Sequence, residues 1–221
     1  FLGGGSESSA SRDAIALFAE VSVPVTDNFQ VNGAVRYEEL EDDSTFDPKI
    51  SLRYEVSDSF ILRASASTSF REASLSQLYS SGVGLQGIQD FNTDGTPRGG
   101  TTFIRIAQDG NANLSPEESD NLNIGAIWRP QSNLELKLDY WSIDYSDVIT
   151  IESAQGIVAA TPLAPAVKRT IDGTLIGVTT KYFNASNVKT DGIDFEINYS
   201  LDTSFGDIEL GLSGTHMNKY E

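Results

Sequence analysis

The sequence predicts an all-β fold: an antiparallel transmembrane β-barrel segment of about eight long strands, with short periplasmic turns and long extracellular loops. Three observations predict it. Apolar and polar side chains alternate over stretches of about 9–12 residues, the span of a tilted membrane strand rather than the about 5–6 residues of an ordinary globular one. The connections alternate between brief turns and long excursions, the plan of a barrel with a short-turn side and a long-loop side. Large aromatics of the apolar face fall near strand ends, where interfacial girdles lie.

The strands follow in order. Ile15, Leu17, Ala19, Val21, Val23 and Val25 hold every second position of the first, with Glu20 and Ser22 between them. After Thr26-Asp27-Asn28, a second strand carries Phe29, Val31, Gly33, Val35 and Tyr37 on one face and Gln30, Asn32 and Arg36 on the other. An excursion from Glu39 to Asp47 leads to a third strand with Ile50, Leu52, Tyr54 and Val56. The turn Ser57-Asp58-Ser59 opens a fourth, with Phe60, Leu62, Ala64, Ala66, Thr68 and Phe70 against Arg63, Ser65, Ser67 and Ser69. A long excursion from Glu72 to Ser119 follows. Leu122, Ile124, Ala126 and Trp128 then mark a fifth strand, Pro130 to Asn133 a turn, and Leu134, Leu136, Leu138 and Tyr140 a sixth. Beyond a second long excursion, Ile151 to Thr190, come Ile193, Phe195, Ile197, Tyr199 and Leu201, the turn Asp202 to Gly206, and Ile208, Leu210 and Leu212. Within the excursions, Phe103-Ile104-Arg105-Ile106 reads as a short strand and Gly156 to Ala160 as a helical turn. Ser115-Pro116-Glu117-Glu118 has the chemistry of a capped helix start, yet period two resumes at once, so one tight turn or at most one helical turn is expected there.

Composition narrows the function. The 221 residues carry a net charge of −17 and no Cys, which excludes a disulfide scaffold and argues against nucleic acid as partner. No run of about 18 apolar residues marks a transmembrane helix. The opening Phe1-Leu2-Gly3-Gly4-Gly5-Ser6 and the closing Asn218-Lys219-Tyr220-Glu221 read as the middle of a loop and of a strand, so both ends look cut. His216 is the only His, leaving no His pair for a metal and little prospect of a Ser-His-Asp triad; on the period-two count it shares a face with Leu210 and Leu212. Gly82-Val83-Gly84-Leu85-Gln86-Gly87 matches a dinucleotide string but lacks the strand-to-helix context. The acidic run Glu38-Glu39-Leu40-Glu41-Asp42-Asp43 reads as a solvated loop tip, with divalent-cation binding as the sharper alternative. No enzyme activity, cofactor or metal is expected. Ligand contacts belong to the long loops, where the candidates are Gln89, Asp90, Phe91, Arg98 and Arg105.

Four stretches resemble TonB-dependent receptors of bacterial outer membranes. Phe70-Arg71-Glu72-Ala73-Ser74-Leu75-Ser76-Gln77-Leu78-Tyr79 is similar to the family's FRAPSLxQLY, with Glu72-Ala73 in place of Ala-Pro. Asn111 to Gly125 resembles NPNLKPExSxNYNLG, with Ala112 in place of Pro. Asp139 to Ile149 resembles the next strand, and Tyr182 to Glu196 the segment YxNxxxxxxxGxDxE. The resemblance implies that residues 1–221 are part of a receptor β-barrel domain with long loops at about 72–119 and 151–190. It implies a fragment, since the family's plug domain, its TonB-contacting segment and the closing aromatic are not here, and since about eight strands stand against the family's 22. It also implies uptake of a scarce nutrient (ferric siderophore, cobalamin or oligosaccharide). The partners it implies are outer-membrane lipid and, in the full-length parent, the receptor's own plug and TonB. Two alternatives stand beside it: a complete eight-stranded structural or adhesive outer-membrane barrel, and a soluble all-β binding domain.

Overall fold

The computed structural model describes residues 4–5, 9–40, 44–185 and 187–221. In chain order its elements are β1 (Gly4–Gly5), β2 (Ala14–Thr26), β3 (Phe29–Leu40), β4 (Ser44–Ser57), β5 (Phe60–Arg71), α1 (Leu75–Tyr79), β6 (Ser81–Phe91), β7 (Pro97–Asp109), β8 (Glu117–Gln131), β9 (Leu134–Ser146), β10 (Ile149–Ile151), α2 (Ala154–Ala160), β11 (Val167–Arg169), β12 (Leu175–Asn184), β13 (Val188–Thr203) and β14 (Gly206–Tyr220). They fall into two compact units.

The first unit, residues 13–71, 118–146 and 186–221, is an antiparallel sheet in the order β14-β13-β9-β8-β5-β4-β3-β2. These are the eight long strands expected from the alternation. They run 12 to 16 residues, longer than expected, because the ladders continue past the apolar stretch into polar residues. The β3–β4 pairing reaches Glu39↔Ser44, so the excursion expected from Glu39 to Asp47 is mostly strand. The acidic Glu41-Asp42-Asp43 of that connection lies outside the described residues. Among the described residues β2 and β14 are the two ends of the sheet and do not pair with each other; this is the open sheet expected of a barrel segment, not the closed eight-stranded barrel of the alternative reading.

Register puts the alternation to work. Leu17, Tyr37 and Phe46 align across three strands, as do Val23, Val31, Leu52 and Ala64 across four. Leu136, Ile197 and Leu212 do the same at the other end. One face is thus continuously apolar, and it is bounded by aromatics. Phe29 packs edge-to-face on its partner Tyr54, with ring centroids 6.1 Å apart, and Tyr37 closes the other limit. Phe29 to Tyr37 is nine residues, what a tilted strand needs to cross a bilayer core (about 9–11). His216 lies on this face opposite Ile193.

The opposite face is polar and cross-linked. Arg63 of β5 reaches across β8 to Asp139 of β9, donating from Nε (3.0 Å) and Nη2 (2.6 Å) to the two carboxylate oxygens. Gly125 makes this possible: it is the register partner of Asp139, and a Cβ there would lie 1.9 Å from Asp139 Oδ1. Lys137 bridges Glu135 and Glu196, and Arg129 pairs with Glu135.

The second unit comprises residues 1–12, 72–117 and 147–185, mostly the two long excursions. Its sheet has the order β1-β6-β7-β12-β10, with β11 also on β12. The excursions join through a parallel pairing of β7 with β12, Arg105↔Gly177 to Asp109↔Lys181. Ile88 and Ile104 from the first excursion share a core with Ala154, Val158, Val167, Leu175 and Val178 from the second. The stretch expected as a short strand at Phe103 is the middle of β7, and the helical turn expected at Gly156 is α2, started by Ser153, whose Oγ accepts from the Gly156 N–H. The glycine string at Gly82 lies in β6, not at a helix start.

Ser115-Pro116-Glu117-Glu118 forms no helix; β8 begins at Glu117. The turn expected there lies earlier, at Ala112-Asn113. The side chain of Asn184 takes the place of a strand partner, accepting from the Ser115 N–H and donating to the Ser115 and Asp147 carbonyls. Glu117 Oε1 accepts from the Ile149 N–H at 2.7 Å. The backbone groups a helix would use are already committed.

Candidate ligand-binding surface

The sheet of the second unit has two unlike faces. One packs under α2 and carries Ile88, Ile104 and Val178. The alternate positions form the other face. Leu85, Arg105, Gly177 and Lys168 lie in one row across β6, β7, β12 and β11. Phe103 sits one step along β7, the residue 75 % exposed and its ring beside Gly87. Lys181 lies further along β12.

Gly177 gives this row its shape. A Cβ on it would stand 3.1 Å from the Arg105 carbonyl and 3.8 Å from the Cβ atoms of both Arg105 and Lys168. The glycine therefore leaves a slot flanked by two cations. Lys168 Nζ donates to the Pro165 carbonyl, and among the described residues neither Arg105 nor Lys181 forms an ion pair. In a chain of net charge −17, a face with three cations beside an exposed aromatic is a local reversal, and it favours an anionic, partly planar ligand.

The expected ligand residues separate into two groups. Arg105 is on this face. Gln89, Asp90, Phe91 and Arg98 cluster elsewhere in the same unit and are engaged in holding the excursions together. The bulged Gln89 donates its N–H to Gln155 Oε1 (2.8 Å) and its carbonyl accepts from Gln155 Nε2 (3.0 Å), so one side-chain amide imitates a neighbouring strand. Asp90 receives Arg169 in a bidentate pair, Nη2 to Oδ1 at 2.6 Å and Nη1 to Oδ2 at 2.8 Å. Those hydrogen bonds hold the Asp90 carboxyl below the usual carboxylate range against the opposing effect of burial, with the Phe91 N–H adding to them. They also push Arg169 up. Phe91 packs on the shared core, and Arg98 donates to the Gly173 carbonyl at 3.1 Å. Asp94, held below its usual range by the Thr96 hydroxyl and N–H, closes the β6–β7 hairpin with Gly95 at φ 81°, a left-handed conformation that suits glycine.

Lys168 and Lys181 were not among the expected residues. Their signal in the sequence is the alternation of Gly177, Thr179 and Lys181, but the strand that carries it begins within a loop.

The comparisons with known proteins agree with this architecture. The family model for the TonB dependent receptor-like β-barrel matches residues 2–220, and the chain belongs to that family. Among solved structures, a mutant ferric enterobactin receptor (PfeA) from Pseudomonas aeruginosa in complex with enterobactin superposes with a TM-score of 0.70 at 16 % identity, over 93 % of this chain and 27 % of that one. The siderophore receptor PirA from Acinetobacter baumannii gives 0.66 at 16 % identity, over 93 % and 27 %. A double mutant of the Serratia marcescens hemophore receptor HasR, in complex with its hemophore HasA and heme, gives 0.64 at 14 % identity, over 94 % and 34 %. The chain thus spans about a quarter to a third of the length of these structures. No curated protein matches the sequence.

Proposed function

We propose that this chain supplies part of the membrane wall and two outer loops of a TonB-dependent transporter in the bacterial outer membrane, and that its ligand is an anionic iron chelate of the siderophore type. The observation that carries the ligand class is the cation-flanked slot at Gly177, with Arg105, Lys168 and Lys181 beside the exposed Phe103. The structural neighbours support it, since they include a ferric enterobactin receptor and a hemophore receptor in complex with its hemophore and heme. Uncharged oligosaccharides gain nothing from three cations, and the excess of exposed acid elsewhere disfavours anions everywhere but here. Energy would arrive through TonB acting on the receptor's plug, with the loops capturing ligand first.

The experiment is equilibrium binding and TonB-energised uptake by the full-length receptor with Arg105→Ala and Lys168→Ala combined. Loss of two charges facing an anion is expected to weaken binding roughly tenfold, equivalent to about 1.4 kcal/mol, and more steeply at low salt. Unchanged affinity for every anionic chelate tested, with normal folding, would refute the ligand class.

A further inference from the structure

The face of the second unit's sheet that carries Arg105 also carries apolar side chains, and the two kinds are sorted. Val83, Leu85 and Gly87 follow one another on that face of β6, since they pair with Ala107, Arg105 and Phe103. Val83 and Leu85 are 40 % and 41 % exposed. The Phe103 ring continues their line, standing 3.8 Å from where a Cβ on Gly87 would be. At the rise of a strand, Val83 to Gly87 spans about 13 Å. Next to this strip, on the same face, come Arg105 of β7 and then Gly177 and Lys168. The surface is divided lengthwise, with hydrocarbon along β6 and positive charge beside it.

The hydrocarbon is left uncovered. β1 pairs with β6 only at Gly82 and Val83. Its Gly4, opposite Val83, has no side chain, and a Cβ there would meet nothing within 4 Å among the described residues. Among those residues no strand pairs with β6 alongside Leu85. Strand propensity does not require apolar bulk here, because Thr serves as well and stands at Thr101 and Thr179 of the same face. Adjacent apolar side chains kept in water forgo the gain of burial, and such a patch marks a contact surface.

We propose that the ligand of the Gly177 slot is acylated. Its anionic head lies between Arg105 and Lys168, and a single linear alkyl chain lies along β6 over Val83 and Leu85, against the Phe103 ring. The proposal rests on the anionic reading of the slot and adds the tail. Leu85 is the register neighbour of Arg105, so a tail leaving the head enters the strip at once. The strip is one strand wide, about 4.8 Å, which suits one chain. A protein partner would need about 800 Å2, far more than this strip offers.

The test is equilibrium binding to the full-length receptor in nanodiscs, corrected for partition into empty nanodiscs. The probes are two ferric citrate-dihydroxamate chelates with the same anionic head, one bearing a decanoyl and the other an acetyl group. Wild type should bind the decanoyl form about tenfold more tightly. Leu85→Ser should bring the two forms to within about twofold, and so should Val83→Thr, which keeps a β-branched residue in the strand. Arg105→Ala with Lys168→Ala should weaken both forms by a similar factor and leave their ratio near tenfold. Equal affinities in wild type, or a tail advantage that both strip variants retain, would overturn the proposal and leave the anionic class standing. A tail advantage lost on Leu85→Ser, with neither form weakened by removing the two cations, would overturn the anionic class instead. Binding of neither form by wild type would overturn both.

Discussion

Replacing Arg169 by Met tests whether the two excursions are one folding unit. The pair it breaks joins β11 in the second excursion to β6 in the first, and its side chains are only 12 % and 13 % exposed. Besides Asp90, Arg169 donates to the Pro162 and Gly173 carbonyls, so the substitution leaves the Asp90 carboxylate and the Pro162 carbonyl short of donors, while Gly173 keeps Arg98. Removing one partner of a buried pair costs about 3–5 kcal/mol; the slight exposure here places the expected loss near the lower limit, about 3 kcal/mol. Because Ile88 and Ile104 share a core with Val158 and Val178, the loss should not stay where it is made. Hydrogen exchange in the full-length receptor should accelerate roughly hundredfold in both 81–109 and 154–181. The pH dependence follows from the same contact. Asp90 is depressed in the folded state, so its contribution is fully present above the ordinary carboxylate value of about 3.9 and is lost as pH falls through the lower folded value. Asp90→Asn should remove that acid-induced opening. Faster exchange confined to the second excursion in the Arg169→Met receptor would refute the shared unit.

Three further substitutions have defined outcomes. Gly125→Ala puts a Cβ 1.9 Å from Asp139 Oδ1 and 3.0 Å from Arg63 Nε, so the cross-strand pair must give way; a loss of about 1–3 kcal/mol is expected in the denaturant midpoint of the receptor. Gly33→Ala, whose nearest neighbour is at 3.5 Å, should stay within about 0.5 kcal/mol. Asn184→Ala removes one bond accepted from Ser115 and two donated to Ser115 and Asp147; about 1–3 kcal/mol of local stability should be lost, read as faster exchange at Ser115 and Glu117 with the rest of the eight-stranded sheet unaffected.

The wall was legible in the sequence because its two faces meet different surroundings. An apolar face on one side and a polar, cross-linked face on the other impose a strict period of two, and all eight long strands announce themselves. The excursions gave a weaker signal. In β6 and β7 the exposed face carries Val83, Leu85 and Phe103 while the covered face carries Ile88, Ile104 and Ile106. With both faces apolar, alternation is lost, and only four of the thirteen residues of β7 read as strand. At Ser115 the local signal was sound and was overridden. The capping groups are the ones that Asn184 engages from 69 positions away, and a local pattern carries no trace of such a partner.

The same limit governs the charged residues. Asp90, Arg98 and Arg105 share a loop and a composition, and nothing local separates them. What separates them is the partner: Arg169, 79 positions on, neutralises Asp90, and the Gly173 carbonyl engages Arg98, whereas Arg105 faces a glycine and another cation. A charge already matched inside the fold has little left to offer a ligand, because binding must first break what folding made. Arg105 and Lys168 stand near each other without a counter-charge, which costs folding energy that an arriving anion can recover. If that is why they are adjacent, Arg105→Ala and Lys168→Ala should leave thermal stability unchanged or slightly higher while binding falls, the reverse of the pattern expected for Arg169. A loss of stability in parallel with binding would mean that the cations serve the fold instead.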